Sequence, residues 1–408
     1  MPVLRQIALY TKHSCAKFWK EKTMGNTAYF DNAATTFPKP EEVYSFMDRF
    51  YRECGVNVGR GQHKLAARAT VLMEETRGLL LKLNHCPNRK VVFTPSATEA
   101  INIVLRGMAL KDGANIYLTP FEHNAVTRVI HYLRIAFSLN IRILAFDKTT
   151  FTYDINEIAR QFANVKPDAV VISQASNVCG VIAPITEICA LSKPYGAINI
   201  IDMCQTMGLI DTNLNNEHID YAIFAAHKTL YGAFGLGGFI CKADAKPAPL
   251  IYGGTGIDSA NQSLPEDLPA RYEVGSQNIV AIAGLNAALK WILTTDIQTI
   301  YEKEHLNHSH LVILLQKYDN IRIVSPAGNV KSIGVVSCVF DGYSSDSIGQ
   351  VLSGYDIAVR TGLHCAPNAH QYLGTFPAGT VRFSVGYFNN NDDFKRLEDA
   401  LGYIHENS

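Results

Sequence analysis

Two apolar runs indicate the fold of this chain: Ile198-Asn-Ile-Ile-Asp202 and Tyr221-Ala-Ile-Phe-Ala225. Ala226-His227-Lys228 follows the second run directly. Each run has the length and the apolar content of a strand that is buried on both faces of a sheet. An ionisable side chain ends each run, Asp202 in the first and Lys228 just beyond the second. We therefore expect an aspartate and a lysine at the ends of neighbouring strands.

The same pattern extends along the chain in both directions. Further strands are predicted at residues 91–94, 115–118, 141–146, 169–173 and 238–241, the last as a hairpin partner. Helical periodicity marks residues 65–83, 98–110 and 185–193 between these runs. The alternation predicts an α/β fold with a mostly parallel sheet flanked by helices.

The length of the chain indicates more than one domain. Its 408 residues exceed the roughly 250 to 300 at which one hydrophobic core stops growing. We predict a large α/β domain over residues 28–278 and a smaller α+β domain over 279–408, which begins with one long linking helix at 279–303. Residues 252–269 are rich in turn formers and predict a long surface loop. Residues 1–27 form an N-terminal extension, either helical or disordered.

Charge and cysteine content exclude several classes of protein. The 37 basic and 37 acidic side chains balance, so nothing favours nucleic acid or a membrane surface as a partner. The nine cysteines include no Cys-x-x-Cys pair, which argues against a disulfide framework and against a metal site. No uninterrupted apolar stretch approaches the roughly 20 residues that span a bilayer. We expect a reduced, cytoplasmic protein without bound metal.

The first 24 residues leave the localisation open. Four basic residues precede the first acidic one, Glu21, as in a transit peptide, but serine is scarce. Met24 lies shortly before Tyr29, where the recognisable sequence begins, so an extended start or a short helix fits equally well. Organellar targeting by residues 1–24 stays open beside a cytoplasmic location.

Lys228 and Asp202 suit an aldehyde cofactor. Burying a charged lysine among apolar and glycine residues costs several kilocalories per mole unless the charge is removed or paired. A Schiff base with the aldehyde of pyridoxal phosphate removes the charge, and an aspartate at the pyridine nitrogen keeps that ring an electron sink. The alternative is a lysine whose ammonium group extends from the strand end into water.

The segment from Phe93 to Asn102 adds a candidate anion site. A strand ends there in small and hydroxyl residues and a helix begins near Thr98, so free backbone amides and the helix dipole suit the cofactor's phosphate. A simple helix N-cap is the alternative.

Gln205 is placed to donate to the ring hydroxyl, and His123 to stack on the ring and shuttle protons near neutral pH. A purely structural histidine is the alternative for His123.

Cys365 and Arg382 supply a candidate nucleophile and a carboxylate-binding group. Cys365 lies in a segment with glycine and proline that predicts a loop, and we expect the nearby Arg360 and His364 to favour the thiolate. A small buried hydrophobe is the alternative for this cysteine. Arg382 lies within an apolar run, where its planar fork suits a substrate α-carboxylate. A buried structural ion pair is the alternative there.

These segments, taken in order, resemble those of one known family. The motifs are Asp31-Asn-Ala-Ala-Thr35, Ser96-Ala-Thr-Glu99, His123, Ser176-Asn-Val-Cys-Gly180, Asp202-Met-Cys-Gln205, His227-Lys228, Gly275-Ser276, Arg360-Thr-Gly-Leu-His-Cys365 and Thr380-Val-Arg382. They resemble the cysteine desulfurases, in the class V aminotransferase group of fold-type I pyridoxal-phosphate enzymes. The resemblance covers about residues 28–403, and the compact cysteine loop is similar to the group II, SufS-type branch.

The resemblance implies a role for each residue at the cofactor ring. Lys228 forms the Schiff base and Asp202 contacts the pyridine nitrogen. Gln205 reaches the ring hydroxyl, and His123 stacks on the ring.

The resemblance also implies how the phosphate is held. Ala97, Thr98 and His227 bind it from one subunit, and Ser276 reaches it from the other subunit of a homodimer. Ala225 stands where the family often has serine or threonine. One phosphate hydrogen bond is therefore missing, a loss of roughly 1.5 to 3 kcal/mol.

The implied reaction is the conversion of L-cysteine to L-alanine. Asn177 and Arg382 bind the substrate carboxylate, His123 assists proton return, and Cys365 attacks the substrate sulfur to give a persulfide. The implied partners are L-cysteine, a second copy of the chain and a sulfur-acceptor protein. Three alternatives stay open: a selenocysteine lyase, a class V aminotransferase or epimerase in which Cys365 is incidental, and a non-catalytic sulfur-carrier scaffold.

Overall fold

The computed structural model describes residues 27–59, 61, 63–256, 260–326, 328 and 330–407. The predicted N-terminal extension lies outside these residues except for Thr27. Within them, strands β1 to β15 are, in chain order, Ala28–Tyr29, Lys90–Thr94, Asn115–Leu118, Asn140–Ile143, Phe146–Asp147, Thr152–Tyr153, Ala169–Ser173, Ile198–Asp202, Tyr221–Ala225, Gly237–Cys241, Ile321–Ile323, Val335–Phe340, Ile357–Ala358, Arg360–Gly362 and Thr380–Ser384. Helices α1 to α11 are Glu41–Cys54, Lys64–Leu83, Ala97–Gly107, Asn124–Phe137, Ile155–Asn164, Ile185–Ser192, Ile279–Thr295, Ile297–Leu315, Ser345–Gly354, Pro367–Leu373 and Asn391–Glu406.

A mixed sheet forms the centre of the N-terminal part of the chain. Its strand order is β2-β10-β9-β8-β7-β3-β4, and the pairings are parallel except those of β10 with β2 and β9. Alternate residues of β2 belong to different apolar clusters, Phe93 to one and Val92 to the other. Both faces of the sheet are therefore covered, which explains the unbroken apolar runs in the sequence. The predicted mostly parallel α/β sheet is confirmed.

The carboxyl ends of β8 and β9 lie at one edge of this sheet. The two strands pair in parallel, with Asp202 opposite Ile223. Lys228 follows three residues after the end of β9, in a turn. The expected neighbourhood of Asp202 and Lys228 is thus a consequence of strand order, as in open α/β sheets that bind ligands at this edge.

The strand predicted at residues 141–146 is wrong in its second half. Strand β4 ends at Ile143, opposite the last residue of its neighbour β3, Leu118. One further backbone hydrogen bond, from Leu144 N to Leu118 O at 2.9 Å, closes the pairing. Phe146 instead begins β5 and packs its ring against Phe121 and Tyr153, at centroid distances of 4.8 Å and 4.9 Å. An aromatic contact between separate segments therefore ends the strand, and the local pattern does not encode it.

The long helix predicted at residues 279–303 is also wrong, because two helices occupy this region. Helices α7 and α8 meet at 84°. Asp296 between them has a φ of +75° and caps α8 by accepting a hydrogen bond from Thr299 N. Helix α7 does not leave the large domain, since it packs against α1 and α2 in the main apolar cluster.

No single helix among the described residues is long and apolar enough to cross a membrane, although α7 and α8 meet that criterion as a bent pair.

The C-terminal part contains an antiparallel sheet with the order β11-β12-β15-β14. Its apolar cluster includes residues of α8, α9 and α11. Ala28 and Phe30 belong to the same cluster, because β1 pairs with β13 and Phe30 packs edge-on against Phe383 and Phe394. The domain division at residues 278 and 279 stays a prediction. The described part of the loop predicted at 252–269 contains neither helix nor strand.

Glu304 is a buried acid on α8 that titrates far from its usual range. The residue is 7% exposed to solvent, and Oε1 accepts a hydrogen bond from Gly334 N at 2.9 Å. Burial raises the pKa of Glu304 to about 7 from its usual 4.5, and the Gly334 bond opposes this rise. The folded protein therefore binds this proton more tightly than the unfolded chain.

We predict that Glu304→Gln makes stability less dependent on pH. Stability from the protonated carboxyl is fully present below about pH 4.5 and is lost as pH rises to about 7, the pKa values of the unfolded and folded states. Wild type should lose up to about 3 kcal/mol relative to the variant between about pH 4.5 and 8. Urea unfolding at both pH values measures the difference. Glu302→Gln, an exposed change on the same helix, is the control, and equal pH dependence in Glu304→Gln and wild type would contradict the prediction.

Candidate active site

A cavity of about 360 Å³ lies at the carboxyl edge of the large sheet. Its wall includes the predicted site residues Ala97, Thr98, His123, Asn177, Asp202, Gln205, His227, Lys228, Cys365 and Arg382. Ser276 is exposed and does not line this cavity of its own chain. The structure thus brings together residues from both parts of the chain, and leaves Ser276 outside.

The start of α3 forms one end of the cavity. Ser96 caps the helix, because its Oγ accepts a hydrogen bond from Glu99 N at 3.2 Å. The amides of Ala97 and Thr98 precede the intrahelical hydrogen bonds and are left for an anion. A Cβ atom on Gly237 would lie 2.5 Å from Ala97 N. Glycine at this position therefore lets β10 approach the helix start closely, as a phosphate cradle requires.

His227 lies at the same end. Its ring stacks on Phe234 with centroids 4.5 Å apart. Burial, followed by the charges of Lys228 and Lys39, lowers the pKa of His227 to about 4. Its buried Nδ1 has no hydrogen-bond partner among the described residues. A neutral imidazole with an unused nitrogen fits a role as hydrogen-bond donor to a bound phosphate.

Asp202 and Gln205 lie where the ring of the cofactor is expected. Asp202 is buried, and its Oδ1 accepts a hydrogen bond from Cys204 N at 2.9 Å. Among the described residues, no cationic side chain lies within ion-pair distance of this carboxylate, which suits a protonated pyridine nitrogen. Gln205 Nε2 donates one hydrogen bond to Ala33 O at 2.9 Å. Its second N–H remains for a ring hydroxyl.

His123 is fixed in one tautomer. Its Nδ1 accepts a hydrogen bond from Ala125 N at 3.0 Å, so the neutral ring carries its proton on Nε2. Burial, followed by the charges of Lys228 and Arg382, lowers the pKa of His123 to about 4. The ring is neutral near pH 7, which suits stacking. Burial therefore opposes the expected titration near neutral pH, and the role of His123 in proton transfer stays a prediction.

Lys228 is only half-buried, not enclosed as the sequence suggested. Its side chain lines the cavity, and in the described part of the chain no carboxylate forms a salt bridge with it. The other lysine nearby, Lys39, does not line the cavity. Lys39 Nζ donates to His227 O at 2.6 Å and Thr36 Oγ1 at 2.7 Å, and burial lowers its pKa to about 7. Lys228 is therefore the lysine whose amine is available to a molecule bound in the cavity.

Arg382 lines the same cavity and belongs to an ion-pair network. It is 2% exposed, and Nη2 donates to Asp31 Oδ1 at 2.8 Å while Nη1 donates to Asn177 O at 3.0 Å. Arg360 donates to the other oxygen of Asp31 at 3.0 Å and 3.1 Å. Two guanidinium groups thus share one carboxylate, and a net positive charge remains for a substrate carboxylate.

The sequence did not assign Asp31 a role, although its motif was recognised. The structural ion pair considered as an alternative for Arg382 is present. It does not exclude substrate binding, because Arg382 Nε is buried without a hydrogen-bond partner among the described residues. Asn177 uses its Nδ2 to donate to His364 O at 2.7 Å. In this structure its amide holds the cysteine loop.

Cys365 is exposed, whereas the other described cysteines are buried. His364 and Cys365 have consecutive positive φ values of +48° and +57°, which cost about 1 to 3 kcal/mol each. Backbone contacts hold this turn, since Asn124 N donates to Cys365 O at 2.7 Å. The buried Cys204 lines the same cavity, but burial raises the pKa of its thiol well above the usual range. Cys365 is therefore the accessible nucleophile.

His364 does not act on the thiol as a cation. Burial, followed by the charge of Arg382, lowers the pKa of His364 to about 2, so this ring is neutral near pH 7 and adds no positive charge beside the thiol. The expectation that Arg360 and His364 favour the thiolate stays a prediction. Its Nε2 lies 2.8 Å from Thr380 Oγ1, which donates to Ser337 Oγ at 3.1 Å, which donates to Val178 O at 2.6 Å. This order of donors places the proton on His364 Nε2. The ring anchors the turn that displays Cys365.

Comparison with known proteins agrees with this geometry. The chain matches the class V aminotransferase family model over residues 28–397. A cysteine desulfurase of Synechococcus elongatus is 30% identical over 93% of this chain, which spans 61% of that relative's length. A probable cysteine desulfurase of Xylella fastidiosa (strain Temecula1) is 30% identical over 91% of this chain and 89% of the relative.

Solved structures show the same fold. An apo structure of a cysteine desulfurase from Thermococcus onnurineus NA1 has a TM-score of 0.85 and 28% identity, covering 94% of this chain and 95% of that chain. A NifS-like protein has a TM-score of 0.78 and 26% identity over 93% of this chain and 100% of that one. The fold-type I expectation and the family resemblance are confirmed. The chain belongs to the class V aminotransferase family, and the two relatives compared above are a cysteine desulfurase and a probable cysteine desulfurase.

Proposed function

We propose that this chain is a pyridoxal-phosphate-dependent cysteine desulfurase, which converts L-cysteine to L-alanine and retains the sulfur as a persulfide on Cys365. The observation that carries the proposal is one cavity lined by Lys228, Arg382 and the exposed Cys365. An amine, a carboxylate-binding group and an accessible thiol are the groups that this reaction needs. The names of the curated relatives support the same activity.

The residues present fit pyridoxal phosphate. The amides of Ala97 and Thr98 and the unused Nδ1 of His227 would hold its phosphate, and the unpaired carboxylate of Asp202 would hold its ring nitrogen. Gln205 and the flat face of His123 would complete the ring site, by a hydrogen bond and by stacking. When bound, the cofactor supplies an electron sink for the electrons left at the substrate α-carbon.

The other steps belong to residues of the chain. Arg382 binds the substrate carboxylate with the positive charge that Asp31 does not offset. Lys228 Nζ accepts the α-proton. The Cys365 thiolate attacks the substrate sulfur, so a sulfur–sulfur bond forms while the substrate carbon–sulfur bond breaks. The β-carbon, which has lost sulfur, takes up a proton equivalent to the one that the Cys365 thiol gave up, and His123 assists this transfer. Lys228 Nζ returns the α-proton, and alanine leaves.

The assembly and subtype belong to the same proposal. A homodimer would let Ser276, exposed on its own chain, reach the phosphate in the partner subunit's cavity. The short segment between β14 and α10, with Cys365 at its centre, supports the group II, SufS-type assignment. We propose a cytoplasmic enzyme with two domains divided near residue 278, and a protein that accepts the sulfur.

Product analysis tests the proposed function. Protein reconstituted with pyridoxal phosphate is incubated with L-cysteine and dithiothreitol, and L-alanine, sulfide and keto acids are quantified. We expect alanine and sulfide in equal amounts. Alanine from L-selenocysteine but not from L-cysteine would identify a selenocysteine lyase, and keto acid without sulfide would identify an aminotransferase. Failure to bind pyridoxal phosphate would favour the non-catalytic scaffold.

A further inference from the structure

Cys365 borders a second cavity of about 550 Å³, outside the substrate cavity. Helices α3 and α4 form most of its wall. The residues that define this acceptor cavity are Asn102, Arg106, Arg128, Val129, Tyr132 and Cys365. The two cavities meet along Thr98, His123, Ala125 and Cys365, which line both. A molecule in the acceptor cavity can therefore reach the thiol without entering the substrate cavity.

The acceptor cavity is positively charged. Its lining includes two arginines and no aspartate or glutamate. Arg106 and Arg128 are exposed, and no carboxylate in the described part of the chain forms a salt bridge with either. The charge of Arg128 contributes to lowering the pKa of His123, which places that charge close to the shared wall.

Its surface composition is that of a protein-binding site. The Arg106 guanidinium lies 5.3 Å from the centroid of the Tyr132 ring, and Tyr132 is 56% exposed. Arginine and tyrosine are enriched among the residues that dominate binding energy at protein interfaces. The volume falls within the roughly 300 to 1,000 Å³ of ligand clefts. The exposed rim admits a chain segment that continues outside the cavity.

We propose that the acceptor cavity docks an acidic segment of a sulfur-acceptor protein, with the accepting cysteine flanked by aspartate or glutamate. The proposal rests on the proposed function, because it requires a persulfide on Cys365. The acceptor thiolate attacks the outer sulfur of that persulfide. A bond forms between the two sulfurs, the bond from the outer sulfur to Cys365 Sγ breaks, and Cys365 leaves as a thiolate. No other oxidant or reductant is needed.

Two synthetic peptides test the proposal. Each peptide has a central cysteine, which is flanked by acidic residues in one peptide and by lysines in the other. The full-length holoenzyme is incubated with L-cysteine and each peptide, and the rate of persulfide formation on the peptide is measured. Because flanking charges also change the pKa of the peptide thiol, the measured quantity is the acidic-to-basic rate ratio compared between enzymes. We expect Arg106→Glu/Arg128→Glu to lower this ratio at least about tenfold relative to wild type, and added salt to reduce the difference.

Controls separate the proposal from its alternatives. Arg134→Glu, an exposed change on α4 outside the acceptor cavity, should leave the ratio unchanged. Alanine formation with dithiothreitol should be equal in all variants. An unchanged ratio in the double variant, with normal alanine formation, would overturn the docking proposal alone. A changed molecular mass of the double variant would identify the cavity as an interface between copies and overturn it too. No alanine from wild type with dithiothreitol would overturn the proposed function and this inference together.

Discussion

Replacement of Lys228 by alanine is expected to abolish covalent attachment of pyridoxal phosphate and to lower alanine formation by at least about a thousandfold. Lys228 is the amine on the wall of the substrate cavity, and in the proposed mechanism it both attaches the cofactor and takes the α-proton. Borohydride reduction of the wild-type holoenzyme, followed by peptide mapping, should place the reduced cofactor on Lys228. The variant should carry no reduced cofactor.

Lys39 provides the matched control for this prediction. Burial lowers its pKa to about 7, so much of it is a neutral amine at physiological pH and a chemically competent rival. Its Nζ donates to the backbone and to threonine hydroxyls, however, and lies outside the cavity wall. Lys39→Met should retain the covalent cofactor on Lys228. Reduced cofactor on Lys39 would contradict the site as described.

Cys365→Ala is the second substitution with a large expected effect. We predict a loss of alanine formation of at least about a thousandfold, because the nucleophile that accepts the sulfur is removed. Cofactor absorbance and the binding of L-cysteine should persist, since Cys365 holds neither. Steady-state alanine formation and absorbance spectra measure the two effects separately.

Cys204→Ala is the control for Cys365→Ala, because both thiols line the substrate cavity. Burial keeps the Cys204 thiol protonated. Alanine loses the hydrogen bond of this thiol to Asp202 but retains the one from the backbone N–H of residue 204 to Asp202 Oδ1. Turnover in Cys204→Ala should stay within a few-fold of wild type. Unchanged turnover in Cys365→Ala would instead favour a class V enzyme in which Cys365 is incidental.

Buried parallel strands were the most predictable part of this fold. Residues 115–118, 169–173, 198–202 and 221–225 form strands with the predicted bounds, because a strand covered on both faces is apolar throughout its length. The wrong element boundaries, in the strand predicted at 141–146 and the helix predicted at 279–303, occur where contacts between distant segments determine the backbone path. Phe146 leaves the sheet for an aromatic cluster, and Asp296 turns the chain between two helices whose apolar pattern is continuous.

The sequence predicted which residues line the candidate site, but it did not predict the protonation states of their side chains. Strand order brings Asp202 and Lys228 to one edge, and motif order supplied Cys365 and Arg382 from the C-terminal part. Sequence does not report burial, so the neutral state of His364 was missed. The sharing of the Asp31 carboxylate by two arginines was also missed. Those partners lie more than 300 positions from Asp31 in the chain, so no local pattern connects them.

Mapping the substrate sulfur tests the central claim most directly. The holoenzyme is mixed with one equivalent of isotopically labelled L-cysteine without reductant, alkylated, digested and analysed by mass spectrometry. We expect one labelled sulfur atom on the peptide that contains Cys365, in an amount equal to the alanine released. Alanine formed with the label on Cys204, or with no label on any peptide, would contradict that claim.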